Sequence, residues 1–238
     1  MSKDYIEESW GYTKYNSLNR FENLDSLEAK IVNKLVNSDN KYADIFWKIL
    51  KYDDLNALSQ PPLDKKARLN LINNDNGESN GKRVFLTPRN DDGQVDQCSS
   101  VYIYVENIEP INNTEALVGV TIDTSVYTKI GVIAGDGDKD SSENPEWVNP
   151  NESDEQGSVV VPIKSRATVL LKCILALLNG MYLDGIGYLI FNRFKEIKDD
   201  LDVGYVDMPH NHRENSHGHR IIFGVIMSGT SDDANVGY

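Results

Sequence analysis

Residues 166–191 read RATVLLKCILALLNGMYLDGIGYLIF and residues 219–229 read HRIIFGVIMSG. The apolar run Arg166–Leu178 predicts a buried helix that ends in a Leu-Asn-Gly turn. GIGYLIF, Gly185 to Phe191, then reads as a strand, and RIIFGVIMS, Arg220 to Ser228, as a closing strand. Between the two strands lies a polar loop that holds all 4 histidines of the chain. A helix and two strands flanking a decorated loop form the scaffold on which the rest must pack.

Working backward, Ser100–Asn107 (SVYIYVEN) and Ala116–Asp123 (ALVGVTID) alternate with period two. They predict two long antiparallel strands turned at Pro110–Thr114. Lys82–Pro88 (KRVFLTP) predicts a shorter strand, and Val126–Ala134 either extends its predecessor or stands alone. Before them the pattern is helical. Leu27, Ile31, Val32, Leu35 and Val36 share one face, and Tyr42, Ile45, Phe46, Ile49 and Leu50 repeat it. Asp25 and Glu28 have capping-box spacing, with Ser26 an equal choice of N-cap. A short helix is expected around Asp64–Ile72, after Pro61 and Pro62.

The expected organisation is an N-terminal arm, residues 1–24, and one α+β domain, residues 25–238. The domain comprises a helical segment (25–72), antiparallel strands (82–134), an acidic loop insertion (135–157), and a stretch of helix, strands and histidine-rich loop (158–230). Its fold class is α+β: an antiparallel sheet with long strands packed by a central helix and preceded by the helical segment.

The chain has 238 residues, with 24 basic and 37 acidic side chains, a net charge of −13. No cluster of Lys and Arg forms a nucleic-acid-binding face. The two cysteines sit in unlike surroundings, Cys98 in a polar segment and Cys173 on the apolar helix, which gives no disulfide framework and points to a reducing compartment. Cys173 reads as a small core residue. The first residues are too polar for a signal peptide, and no apolar run approaches the roughly 20 residues of a membrane span.

Three features invite a chemical reading. His210, His212, His217 and His219 form two H-x-H pairs, and imidazole suits zinc, copper and nickel. Yet the loop holds no cysteine and no H-E-x-x-H, and metal enzymes usually draw ligands from separated elements. Asp136, Asp138 and Asp140 have the opening spacing of a calcium loop, but Ser141 stands where glycine is required and Trp147 where a bidentate glutamate is. Gly185 and Gly187 precede a strand, whereas phosphate-binding glycines open a helix. They fit a tight turn and close packing instead. No nucleophile motif is present, so the expectation is no catalytic residue, no cofactor and no dedicated metal.

The succession of paired strands, central helix Ala167–Gly180, turn and strand Leu183–Phe191, and late strand His219–Gly229 resembles the tail-terminator and neck proteins of tailed bacteriophages. The likeness spans about residues 80–230, while the N-terminal 70 residues and the 135–157 loop exceed compact members. It implies a non-enzymatic virion protein, made in the host cytoplasm and placed at the head–tail junction. It also implies a homo-oligomeric ring, six-fold in this family, contacting tail tube or sheath and the head connector, with DNA only as passing cargo and no membrane. An acidic chain suits a channel that must not hold phosphates. Tyr5, Trp10, Trp147, Tyr188 and Ile190 are the interface candidates. The alternative is a metal-binding protein or metal-dependent enzyme built on the His210–His219 loop.

Overall fold

The computed structural model describes residues 23–73, 81–88, 97–111, 115–134, 163–191 and 215–228. Helices α1 (Leu27–Asn37), α2 (Lys41–Lys51) and the short α3 (Lys65–Asn70) come first. Strands β1 (Val84–Phe85), β2 (Ser99–Pro110), β3 (Glu115–Tyr127), β4 (Val132–Ala134) and β5 (Ile163–Ser165) follow. Helix α4 (Arg166–Leu178) leads to β6 (Tyr182–Leu183), β7 (Gly187–Tyr188), β8 (Ser216–His217) and β9 (Arg220–Ser228). The class is α+β.

The two helices predicted from apolar spacing are present; the α1 face is buried as expected, whereas in α2 Phe46, Ile49 and Leu50 are buried together with Ala43 and Trp47, and Tyr42 and Ile45 are half-buried. Asn40 caps α2 by accepting from the Ala43 amide at 3.0 Å, and Asp64 caps α3 by accepting from Ala67 at 2.7 Å. The capping box at α1 does not form. A 3₁₀ turn, Leu24–Ser26, precedes the helix, and Ser26 Oγ donates to the Asn23 carbonyl. Glu28 turns instead to β2 and accepts the Val105 amide at 3.1 Å. Trp47 ties α2 to α1 by donating from its indole to the Leu35 carbonyl at 3.1 Å.

The main sheet runs β1-β2-β3, with β8 and β9 both on the far edge of β3. β2, β3, β8 and β9 are antiparallel, as expected. β1 is parallel to β2, so the sheet is mixed, a correction to the all-antiparallel expectation. The long strands exceed their sequence limits at both ends. Alternation marks only a half-buried strand, and β3 is buried on both faces nearly throughout. Its even positions Ala116, Val118, Val120 and Ile122 join the helical core, as do Val101 and Ile103 of β2 and Ile221, Phe223, Val225 and Met227 of β9. A bulge between Val105 and Asn107 shifts the β2 register, so that Ile108 regains the core side.

Helix α4 matches its predicted bounds and packs against α2 and β3. The predicted strand 185–191 is broken. Gly185, at φ +70°, turns the chain between β6 and β7, and Gly187 runs so close to β9 that a Cβ would lie 2.9 Å from the Ile226 carbonyl oxygen. Ile190 then exchanges two backbone hydrogen bonds with Gly224, at 2.9 and 3.0 Å, closing that stretch of the β9 edge.

Arg166, fully buried at the start of α4, is the junction of the helical layer. Its Nε donates to the Ile130 carbonyl at 2.8 Å and Nη1 to Ile49 and Tyr52 at 3.1 and 2.7 Å. Nη2 donates to Asp54 at 2.7 Å. Three of these carbonyls belong to the C-terminal end of α2 and the chain just after it, where a helix leaves acceptors unmet and its dipole favours a cation. Arg166→Ala would strand them in a dry site. It is expected to lower stability by about 3 kcal/mol, read as a shifted urea midpoint at unchanged slope, with Arg166→Lys recovering only part because it cannot reach four acceptors.

Candidate functional site

Of the four histidines, His217 and His219 are described, whereas His210 and His212 lie outside the described residues. His217 ends β8 opposite Val126, and His219 directly precedes β9. The His-Gly-His spacing has a backbone cause. A Cβ on Gly218 would meet the Thr124 carbonyl oxygen far inside contact distance, so only glycine passes over β3 there. Thr124 then clasps His219: its Oγ1 accepts the His219 amide at 2.7 Å, and its own amide donates to the His219 carbonyl at 2.9 Å. The His217 ring packs on Gly131, where a Cβ would sit 2.9 Å from Cε1. Burial, and then the neighbouring His219, push the His217 pKa below its ordinary value. His219 Nδ1 is buried without a hydrogen-bond partner. Among the described residues no three His, Cys, Asp or Glu side chains gather as metal ligands.

A more complete polar constellation lies on the sheet face away from the main core, and sequence reading missed it. Asp123 of β3 is almost fully buried. Arg220 of β9 forks onto it, Nε to Oδ1 at 2.9 Å and Nη2 to Oδ2 at 3.0 Å. The Tyr104 hydroxyl of β2 donates to Oδ2 at 3.0 Å. Beside it, Thr121 Oγ1 donates to the Glu106 carboxylate. Burial and then the Asp123 charge drive the Tyr104 pKa up, and the hydrogen bond to Asp123 does the same for Arg220. These shifts fix Tyr104 as a phenol and Arg220 as a cation. Neither is tuned to exchange protons near neutrality, so the cluster is built to hold strands together. The signal was present in the sequence as polar residues alternating with the core positions: Thr121 and Asp123 in β3, Tyr104 and Glu106 in β2, and Arg220 at the start of β9.

A third charged group surrounds the α2 end. Arg83 Nη2 lies 3.5 Å from Asp53, and Arg83 Nε donates to the Leu50 carbonyl at 3.2 Å. Desolvation raises the Asp53 pKa despite Arg83 and Arg166. Burial lowers that of Arg166, with Asp53 and Asp54 opposing.

Of the interface candidates, Tyr188 is 56 % exposed and Ile190 is half-buried in its bridge to β9. Tyr5, Trp10 and Trp147 lie outside the described residues, as does the acidic stretch 135–157. Tyr182, not singled out by sequence, is 50 % exposed and pairs with Tyr188 at 5.0 Å between ring centroids. Cys173 is buried, its thiol pushed up to about 12 by desolvation, as suits a core residue and not a nucleophile. Among the described residues no helix is long and apolar enough to cross a membrane. A scan against protein-family models, a search of curated proteins and a search of solved structures each found no match.

Two measurements test these assignments. Asp123→Ala leaves Arg220 and the Tyr104 hydroxyl without their shared acceptor and is expected to cost about 3 kcal/mol. Tyr104→Phe is expected to cost about 1 kcal/mol, both by chemical denaturation. For His217, a lowered folded pKa means that its contribution to stability is fully present above the unfolded value of about 6.5 and is lost as pH falls through the folded value. The stability difference between wild type and His217→Gln should therefore shrink or invert between about pH 7 and 5. A constant difference across that range would remove histidine titration as the cause.

Proposed function

We propose that the protein is a structural component of the head–tail junction of a tailed phage, similar to a tail terminator or neck protein. It works as a homo-oligomeric ring, six-fold by the resemblance, that caps the tail tube and joins it to the head. DNA passes through as cargo, the particle is the site of action, and no catalysis is involved. The observation that carries this reading is the arrangement of α4, the β6–β7 hairpin and β9 against the long β2–β3 pair. These are the segments on which the resemblance rests, and they pack as one scaffold around a shared core. The charge of −13 is compatible with a channel through which phosphates slide. Ring closure needs a head-to-tail contact between unlike surfaces. The exposed Tyr182–Tyr188 pair is the aromatic patch available for such a contact, tyrosine being favoured in protein interfaces.

The metal-binding reading keeps one observation in its favour: two neighbouring histidines, one with a lowered pKa and the other with an unpartnered buried nitrogen. Negative-stain imaging of the purified protein and of particles that carry it, with metal analysis of the same sample, separates the two. Rings, or protein at a head–tail collar, are the expected result. A monomer with stoichiometric zinc that is lost in His217→Ala would overturn it in favour of the histidine loop.

A further inference from the structure

We infer that Asn179–Gly180 is a self-modifying site, converted to iso-aspartate when the segment Gly187–Phe191 lifts off the C-terminal end of α4. The inference goes beyond the ring reading and does not rest on it. The step needs only water. The Gly180 backbone nitrogen attacks Cγ of the Asn179 side chain and gives up its proton as the new C–N bond forms. The bond from Cγ to the side-chain nitrogen breaks, and ammonia leaves with that proton. Water then opens the five-membered imide on one side or the other, giving aspartate or iso-aspartate. Glycine after asparagine favours the attack, because no Cβ obstructs the nitrogen. Both residues are exposed, and a Cβ on Gly180 would meet nothing within 4 Å.

The folded arrangement holds the reaction back in three ways. Ring closure requires the Gly180 nitrogen and the Asn179 Cβ to eclipse about the Cα–C bond, and at ψ 122° they stand well apart. The Gly180 amide is engaged, donating to the Leu189 carbonyl at 2.8 Å. Asn179 Oδ1 accepts the Phe191 amide at 3.0 Å, which fixes the rotation of the side chain. Both bonds reach the same segment, whose Leu189 amide returns to the Met181 carbonyl at 2.9 Å. Gly187–Phe191 is therefore the guard of the site.

What holds the guard down sets the rate. Leu189 is buried in the core, the Phe191 ring lies 5.9 Å from that of Phe223, and Ile190 is paired with Gly224. Such a short segment opens locally far more often than the domain unfolds. While it opens and closes faster than the chemistry, conversion follows the population of the open form. Iso-aspartate then adds a methylene to the main chain between Leu178 and Gly180. The spacing that served both guarding hydrogen bonds is lost, so the change runs one way.

The test ages the full chain at mildly alkaline pH, in buffer and in guanidinium chloride, and follows each asparagine by peptide mass spectrometry with fragmentation that distinguishes iso-aspartate. In guanidinium, Asn179 is expected to convert alongside Asn76 and Asn80, which glycine also follows. In buffer its conversion is expected to be measurable but slower by about tenfold or more. Phe191→Ala and Gly187→Ala, each checked for native circular dichroism, loosen the guard and leave the Asn179–Gly180 pair intact. Each is expected to speed conversion in buffer several-fold. Equal rates for Asn179 in buffer and guanidinium would overturn the inference. So would a rate in buffer that neither variant raises, or no iso-aspartate at position 179 in any of the three proteins.

Discussion

The Arg166 guanidinium is the interaction on which the helical layer depends. An isolated α2 of this length ends in unmet carbonyls and gains little from its own hydrogen bonds. Arg166 meets those of Ile49, Tyr52 and Asp54 and, from the other side, that of Ile130 just after β3. Its own amide donates to the Gly131 carbonyl at 2.9 Å. One side chain thus fixes the end of α2, the start of α4 and the exit from the longest strand. A lysine could not, since it lacks the fixed fork of donors that spreads over several acceptors.

The same device recurs. Arg68 of α3 donates from Nη1 to the Val36 and Ser38 carbonyls at 2.9 and 2.7 Å at the end of α1. Arg83 takes the Leu50 carbonyl beside Arg166. Arg68 and Arg166 are buried and Arg83 half-buried, each with its guanidinium turned to carbonyls at or near a helix end. Asp53, raised in pKa by burial between two of them, is the local cost of gathering charge in that corner.

What sequence could reveal follows from which forces are local. The α4 bounds and those of β9 were legible because burial imprints a continuous apolar run, and α1 and α2 because it imprints a 3.6-residue period. The break at Gly185 was read as a turn, but its position inside the strand was not, because it depends on the close pass of Gly187 over Ile226. Likewise the parallel pairing of β1 is set by Leu71, whose carbonyl accepts from Arg83 and Val84, a contact no periodicity records. Arg166 looked like an ordinary helix start because carbonyl acceptors are invisible in side-chain patterns. Of the loop's histidines, His217 and His219 are among the described residues, and the glycine between them is explained by the close pass over Thr124.

Register supplies the last constraint. Asp123 and Arg220 are directly paired across β3 and β9, with Tyr104 reaching Asp123 from β2. A one-residue slip of β9 would carry Arg220 to the core side and Ile221 away from it, so the ion pair and the apolar alternation specify the same alignment. A two-residue slip would preserve the alternation but separate the charges, and a buried carboxylate without its partner is costly. The cluster therefore excludes the alignments that hydrophobicity alone would tolerate. With register fixed, the outer edges are also managed: Gly224 is bonded to Ile190, and the Val105 amide to Glu28. Elsewhere along the outer edges of β2 and β9 no further strand pairs among the described residues. Apart from those edges, the Tyr182–Tyr188 pair of the hairpin is an exposed aromatic side-chain surface.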